Sequence, residues 1–368
     1  MSNNKDSNII TVNNSLVNLK LKDKAHSRTL KAIPDETKNS FLVGITSNNI
    51  SEISRVDYDE ENKKLSQTSL VTFSSAENNN DIINEILEIY PIDKLNFYVQ
   101  LFNSSKNEYQ LKYCKFNEES NKYEIINNDK LKSETICDLN FNNENLNNIY
   151  FITNNKLEIF DLQNNRSLNS IKLYENATNP LKISNDISFS KENNIAIGIN
   201  DDIFLCDINS NKISINIKNT HESNLLSLQY DPSTPFILCS SGTDNAIKFW
   251  DLRKYEREIG GIYDNTHWVW SCKFNKNYSN MLVTGSSSSM VRNIIFNKQN
   301  ELEVDNLNNT NYYKNIKEYS SIEYIEFEDS VYAVDWSKND SWTFGAISFN
   351  SYFHINTIPE DVKYKIML

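Results

Sequence analysis

The chain has 368 residues, more than one ordinary compact core holds, so two domains or a repeat architecture is the starting expectation. Hydrophobic residues at 39% and aromatics at 11% supply enough apolar material for a core and exclude wholesale disorder. Lys+Arg 37 against Asp+Glu 49 leaves a net charge of −12, a sign that repels phosphate backbones and anionic lipid and argues against a nucleic-acid partner.

Asn makes up about one residue in six, against 7 Gly and 6 Pro, a skew that fits A/T-rich coding rather than chemistry. Its structural consequence is that turns normally marked by Gly are expected to use Asn or Ser here, since Asn tolerates the left-handed region. The N-terminal stretch MSNNKDSNIITVNNSLVNLKLKDK has no apolar h-region, and the apolar runs at Phe41–Ile45 and Ile195–Ile199 fall far short of a membrane span. A soluble, cytoplasmic protein without direct membrane insertion is expected. Cys114, Cys137, Cys206, Cys239 and Cys272 form no C-x-x-C pair and sit mostly in apolar strand-like runs, which reads as small buried hydrophobes in a reducing compartment.

In chain order, Ser15–Leu21 (SLVNLKL) reads as a strand, and FLVGITS (Phe41–Ser47) followed by NNISEISRVDYDEE reads as a strand, a turn and a second strand ending near Val56. Asp81–Tyr90 fits either a short amphipathic helix, with Ile82, Ile86 and Tyr90 on one face, or an inner strand; context favours the strand. Tyr109–Cys114 alternates with period two.

The clearest organised stretch is His221–Asp251, HESNLLSLQYDPSTPFILCSSGTDNAIKFWD, with three apolar segments separated by turns at Asp231-Pro232 and Thr243-Asp244-Asn245. A His at its start and Trp-Asp at its end match the signature of WD40 repeats. The residue types suit a shared hydrogen-bond chain in which Asp244 takes His221, whose other nitrogen meets Ser240, which meets the Trp250 indole. These four residues are assigned to holding one blade together, although His, Ser and Asp superficially suggest a triad.

Degenerate copies of the ending stand at Phe160-Asp161, Cys206-Asp207, Ile294-Ile295 and Ile355-Asn356, at intervals of 46, 44, 44 and 61 residues through Trp250. An Asn-rich loop insertion at 297–317 explains the long last interval. Cys114 lies another 46 residues before Phe160, and the count reaches seven. The fold expected is all-β, a seven-bladed WD40 β-propeller over 1–368 as a single closed ring, with residues 15–21 as the ring-closing strand. The patches Asn78–Asn80 and Asn306–Asn311 read as loop expansions.

THWVWSCKFN (Thr266–Asn275) with LVTGSSSSMV after it, and Glu326–Leu368, resemble the C-terminal region of the EARP and GARP complex-interacting protein family. FLVGITS and VDYDEENKKL (Val56–Leu65) resemble its opening, whereas Leu70–Tyr150 carries little likeness. The resemblance implies a seven-bladed scaffold without catalytic activity. It would associate with the vesicle-tethering complexes EARP and GARP, peripheral at endosomes and the trans-Golgi network, in endosomal recycling and endosome-to-Golgi trafficking. Ser288 stands where a WD repeat has its turn Asp, and Asn350-Ser351 replaces Asp-Gly, departures that bear on blade rigidity.

His267, Trp268 and Trp270 are the densest aromatic cluster. Strand register assigns Trp270 to the core and leaves Trp268, beside His267 in the preceding loop, as a candidate partner-binding anchor. Glu328 and Asp329 are candidate partner-binding acids, lacking the matching carboxylate or His that acid–base work needs. His26, His221, His267 and His354 are isolated, and no phosphate loop, H-E-x-x-H or G-x-S-x-G occurs, so no catalytic residue, metal or cofactor is expected. A propeller could instead serve as the substrate receptor of a ubiquitin ligase or as a peroxisomal-targeting-type cargo receptor.

Overall fold

The computed structural model describes residues 8–12, 17–35, 37–47, 50–74, 84–104, 108–127, 136–141, 148–153, 156–164, 166–173, 180–184, 194–234, 236–296 and 319–367. The insertion at 297–317 and the patches Asn78–Asn80 and Asn306–Asn311 lie outside the described residues.

Strands β1 (Asn8–Val12) and β2 (Val17–Lys20) open the chain. Sheets of four then follow in sequence order. The first is β3 (Ala25–Ala32), β4 (Asn39–Ser47), β5 (Ile50–Asp59) and β6 (Lys64–Ser74), and the second is β7 (Asn84–Pro91), β8 (Phe97–Asn103), β9 (Glu108–Asn117) and β10 (Lys122–Asn127). Next come β11 (Ile136–Phe141), β12 (Asn148–Thr153), β13 (Lys156–Asp161) and β14 (Arg166–Lys172), then β15 (Pro180–Ser184), β16 (Asn194–Ile199), β17 (Asp202–Asp207) and β18 (Lys212–Ile217). The fifth sheet is β19 (Leu225–Tyr230), β20 (Ile237–Gly242), β21 (Ile247–Asp251) and β22 (Gly260–Ile262). In the sixth, β23 (Val269–Phe274), β24 (Met281–Ser286), β25 (Met290–Phe296) and β26 (Tyr319–Tyr324) gain β1, parallel to β26. In the seventh, β27 (Val331–Trp336), β28 (Thr343–Ser348) and β29 (Tyr352–Thr357) take β2 as the outer strand, antiparallel to β29, before helix α1 (Glu360–Met367).

The chain divides into two compact units. Unit 1 (Met1–Asn14, Asp138–Leu162, Arg166–Glu326) carries the third to sixth sheets, and unit 2 (Ser15–Cys137, Gln163–Asn165, Phe327–Leu368) carries the first, second and seventh. The second strands β4, β20, β24 and β28 are buried almost throughout, which is why they read as unbroken runs of apolar and small residues. The outer strand β14 faces solvent along most of its length and carries Arg, Ser, Asn and Lys accordingly, whereas in β18 exposed positions alternate with half-buried Ile.

In unit 1, Leu225, Leu228, Leu238 and Trp250 of the fifth sheet pack on Ala196, Ile203 and Leu205 of the fourth. In unit 2, Ile86, Ile89, Phe97 and Val99 pack on Leu42, Ile53, Val71 and Phe73. Close approach decides one glycine: a Cβ on Gly198 would sit 2.7 Å from Leu225 Cδ2 of the next sheet.

The repeat marks Phe160, Cys206, Trp250 and Ile294 all fall on the third strand of their sheets. The last mark slips by one residue: Asn356 faces Phe344 as Trp250 faces Leu238 and Ile294 faces Leu282, so Asn356 rather than Ile355 is the equivalent position. Both residues are buried, so polarity alternation cannot separate them.

Of the ambiguous segment Asp81–Tyr90, residues 81–83 lie outside the described residues and the rest is strand β7, as context favoured. A bulge between Ile86 and Glu88 lets Ile86 and Ile89, three apart, enter the same core cluster, which mimics helical spacing in the sequence.

Turn chemistry follows the Asn excess. Asn200, Asn245, Ser289 and Ser351 adopt left-handed backbone (φ 55, 64, 57 and 63°) between the second and third strands of their sheets, and no described Gly does so. Asn and Ser thus hold the hairpin positions that Gly usually takes. Asn245→Ala should therefore cost about 1 kcal/mol, whereas Asn245→Gly should leave stability unchanged or slightly higher, read from denaturant midpoints. Equal loss in both variants would show that the Asn side chain, not the backbone conformation, matters.

Candidate partner-binding surface

The fifth sheet carries a continuous polar chain. Trp250 Nε1 donates to Ser240 Oγ at 2.9 Å, Ser240 Oγ lies 2.7 Å from His221 Nε2, and His221 Nδ1 lies 2.9 and 3.0 Å from the two Asp244 oxygens. Only one assignment satisfies every member: Nδ1–H donates to Asp244 and the serine hydroxyl donates to Nε2. Asp244 also accepts the backbone N–H groups of Glu222 and Ala246. Burial alone would raise the Asp244 pKa, but the hydrogen bonds from His221 and from the backbone N–H groups of Glu222 and Ala246 outweigh it and hold the carboxyl below its ordinary range. The imidazole and Ser240 are buried and engaged on both sides.

Gly242 shows how the pair is accommodated, since a Cβ there would stand 3.0 Å from both Asp244 Oδ1 and His221 Nδ1. In the sixth and seventh sheets, which lack the turn Asp, a serine occupies the Gly242 position. Ser286 Oγ lies 2.6 Å from Ser288 Oγ, and Ser348 Oγ donates to Asn350 Oδ1 at 2.6 Å.

The segment joining β22 to β23 is different in kind. Tyr263, Thr266, His267 and Trp268 are exposed, Tyr263 at 58% and Trp268 at 45%. Exposed aromatics of this size are what protein interfaces select. The segment is nonetheless fixed from below. Arg292, buried in β25, sends a two-pronged fork to Asp264, with Nη1 at 2.8 Å from Oδ1 and Nη2 at 3.1 Å from Oδ2. Nη1 also reaches Asn265 Oδ1 at 3.2 Å, and the Asn265 amide donates to the Asn245 carbonyl at 3.0 Å. Tyr319 donates to Asp264 at 2.6 Å, and Glu323 stands 3.3 Å from Arg292 Nε. Burial pushes the Asp264 carboxyl up, but the Arg292 fork and the Tyr319 hydroxyl together hold it below the usual range. At the far end, the Ser287 N–H donates to the Trp268 carbonyl and the Trp268 and Trp270 rings meet edge to face at 5.7 Å.

Trp270 is half-buried rather than a core residue. The register shift between Val269 and Ser271 makes it the bulged residue of β23, so its ring turns outward against Trp268 and its Nε1 donates to Ser287 Oγ. Strict alternation from Val269 could not anticipate that bulge. Sequence reasoning also missed Tyr263 and the supporting Arg292, Asp264 and Tyr319; the aromatic spacing in YDNTHWVW was the available signal for the first.

Glu328 and Asp329 belong to unit 2, in the connection before β27, where Glu328 is exposed and Asp329 accepts the Ser330 N–H at 2.7 Å. Among the described residues no group of His, Cys, Asp or Glu could hold a metal ion. Cys114, Cys206, Cys239 and Cys272 are buried, and burial pushes the Cys114 and Cys206 thiols up to about 12, outside the range of reactive thiolates. The side chain of Cys137 lies outside the described residues. No helix among them is long and apolar enough to cross a membrane.

A family model described as EIPR1 beta-propeller matches residues 19–293, which takes in the polar chain, Arg292 and the whole aromatic segment. The chain belongs to the EIPR1 β-propeller family. The seven sheets are thus the seven blades of an all-β propeller, the fold class expected from the repeat spacing. Among relatives of this EIPR1-family chain, EARP and GARP complex-interacting protein 1 of Rattus norvegicus is 31% identical over 164 residues, covering 41% of this chain and 42% of the rat protein. The Homo sapiens protein of the same name is 30% identical over 165 residues, covering 41% and 43%. EARP-interacting protein 1 of Caenorhabditis elegans is 27% identical over 160 residues, covering 42% and 44%. The chain spans less than half the length of each of these relatives.

Proposed function

We propose that this protein is a non-catalytic scaffold, one closed propeller over 1–368, that binds vesicle-tethering complexes of the EARP and GARP type. It acts in endosomal recycling and endosome-to-Golgi trafficking, cytoplasmic and peripheral at endosomes and the trans-Golgi network. The observation that carries the reading is the exposed aromatic segment on a buried charged support, in a chain whose relatives are named for EARP and GARP interaction. Trp268 and His267 would supply the anchor, because a rigid, half-exposed indole can bury large area on binding at little ordering cost. Glu328 and Asp329 are proposed as a second, acidic contact on unit 2.

Affinity purification of the tagged chain from its native cell tests this. Recovery of Vps tethering subunits is expected, with Trp268→Ala reducing that recovery several-fold while the melting temperature stays within a few degrees, as befits a half-exposed side chain. Recovery of a cullin adaptor or peroxisomal import factors in their place would overturn the reading. Unfolding of Trp268→Ala would return that residue to the core.

A further inference from the structure

We infer that the cleft between outer strands β6 and β10 in unit 2 is a second protein-binding site, taking an extended peptide that carries apolar side chains at alternate positions and a carboxylate. This inference is independent of the aromatic segment and of the tethering-complex reading.

Both strands are the last of their sheets, so each presents a row of backbone donors and acceptors with no strand beside it among the described residues. Long edge strands are ordinarily defended by charge or proline. β6 runs for 11 residues, KLSQTSLVTFS, with one charge at its first position and no proline. A cleft of about 480 Å³ lies against it, and its apolar lining comes from Leu70 and Val71 on one side and from Phe116, Tyr123 and Ile125 on the other. Leu70 lines the cleft because β6 bulges there: Val71 pairs with Ile53 and Ser69 with Ser54, leaving Leu70 as the extra residue. Ile125 is exposed at 41%.

A comparison within the fold shows what the cleft lacks. The hairpins β17–β18 and β9–β10 carry the same Ser-Asn-Lys turn in the same register, with Asp207 facing Lys212 and Asn117 facing Lys122, and their Asn residues share left-handed backbone at φ 55 and 52°. Asn211 uses its amide to donate to the Ser170 carbonyl on β14, the outer strand of the preceding sheet, at 3.2 Å. Its counterpart Asn121 lines the cleft toward β6 and makes no such bridge among the described residues. An amide that elsewhere ties two rims together is here left to meet an incoming carbonyl. The backbone edges, the Asn121 amide and the alternate apolar positions together describe an extended peptide joining as an added strand. Lys122 is the one charged residue lining the cleft, in a chain of net charge −12, so the peptide it favours carries an acid.

The test is selection of a short random-peptide display library on the immobilised full chain, followed by affinities of the enriched peptides for wild type, Ile125→Asp and Lys122→Glu. Enriched peptides are expected to alternate apolar residues and contain Asp or Glu. Each substitution should weaken them about ten-fold, and melting temperatures should hold, since both side chains are exposed. Selection repeated on Lys122→Glu should exchange the acid for Lys or Arg. Failure to enrich any peptide, or equal affinity for all three proteins, would overturn the site. So would sedimentation of the wild-type chain as a dimer that Ile125→Asp dissociates, because the edge would then be occupied by a second copy.

Discussion

Arg292→Ala should lower stability by about 2–3 kcal/mol and loosen the aromatic segment from Tyr263 to Trp268 at the same time. Removing one partner of a buried ion pair commonly costs about 3–5 kcal/mol because the other charge is left buried. The lower value applies here, since the Asp264 side chain is 43% exposed and regains water, while Glu323 and Asn265 are left more deeply enclosed. Arg292→Lys should recover only part of the loss, because one ammonium cannot reproduce the two parallel bonds to Asp264 or reach Asn265 as well. Denaturant midpoints read the stability, and amide hydrogen exchange across 263–268 reads the loosening. A destabilised protein whose segment keeps its protection would mean that Arg292 supports β25 alone and that Trp268 does not depend on it.

Asp244→Ala removes the acceptor of three N–H donors at once: His221 Nδ1–H, shared between the two carboxylate oxygens, and the backbone N–H groups of Glu222 and Ala246. The buried Nδ1–H loses its acceptor, and the expected cost is about 1–3 kcal/mol. A dependence on acid accompanies it. Asp244 titrates lower folded than unfolded, so its contribution is fully present above the ordinary carboxylate range and disappears as pH falls through the lowered folded value. Wild type should therefore lose stability on acidification more steeply than Asp244→Ala, and the two midpoints should converge at low pH. Parallel curves would show that the carboxylate charge contributes nothing to the blade.

Much of the scaffold was legible because repetition is additive: Phe160, Cys206 and Trp250 are weak marks singly, but their even spacing located three third strands. The polar chain from Trp250 to Asp244 was legible for a different reason. Each of its four side chains has a fixed inventory of donors and acceptors, and one linear order satisfies them all. A bulge defeated the alternation rule at Trp270, and the bulge beside Ile86 interrupts strict alternation in a segment that the sequence left open between helix and strand, since one extra residue changes which face a side chain meets. The support under Trp268 was illegible because Arg292 and Tyr319 stand 28 and 55 residues from Asp264, brought to it only by the stacking of β25 and β26. Asn in place of Gly concealed the turns in composition, while the backbone at Asn200 and Asn245 shows it performing the same task.

Photo-crosslinking from the aromatic segment tests the central claim most directly. A photoreactive amino acid in place of the exposed Thr266, with the full chain in its native cell, should capture a tethering-complex subunit, and Trp268→Ala in the same chain should abolish the product. Capture of the same subunit undiminished by Trp268→Ala, or its recovery by affinity purification without any cross-link at Thr266, would contradict the account.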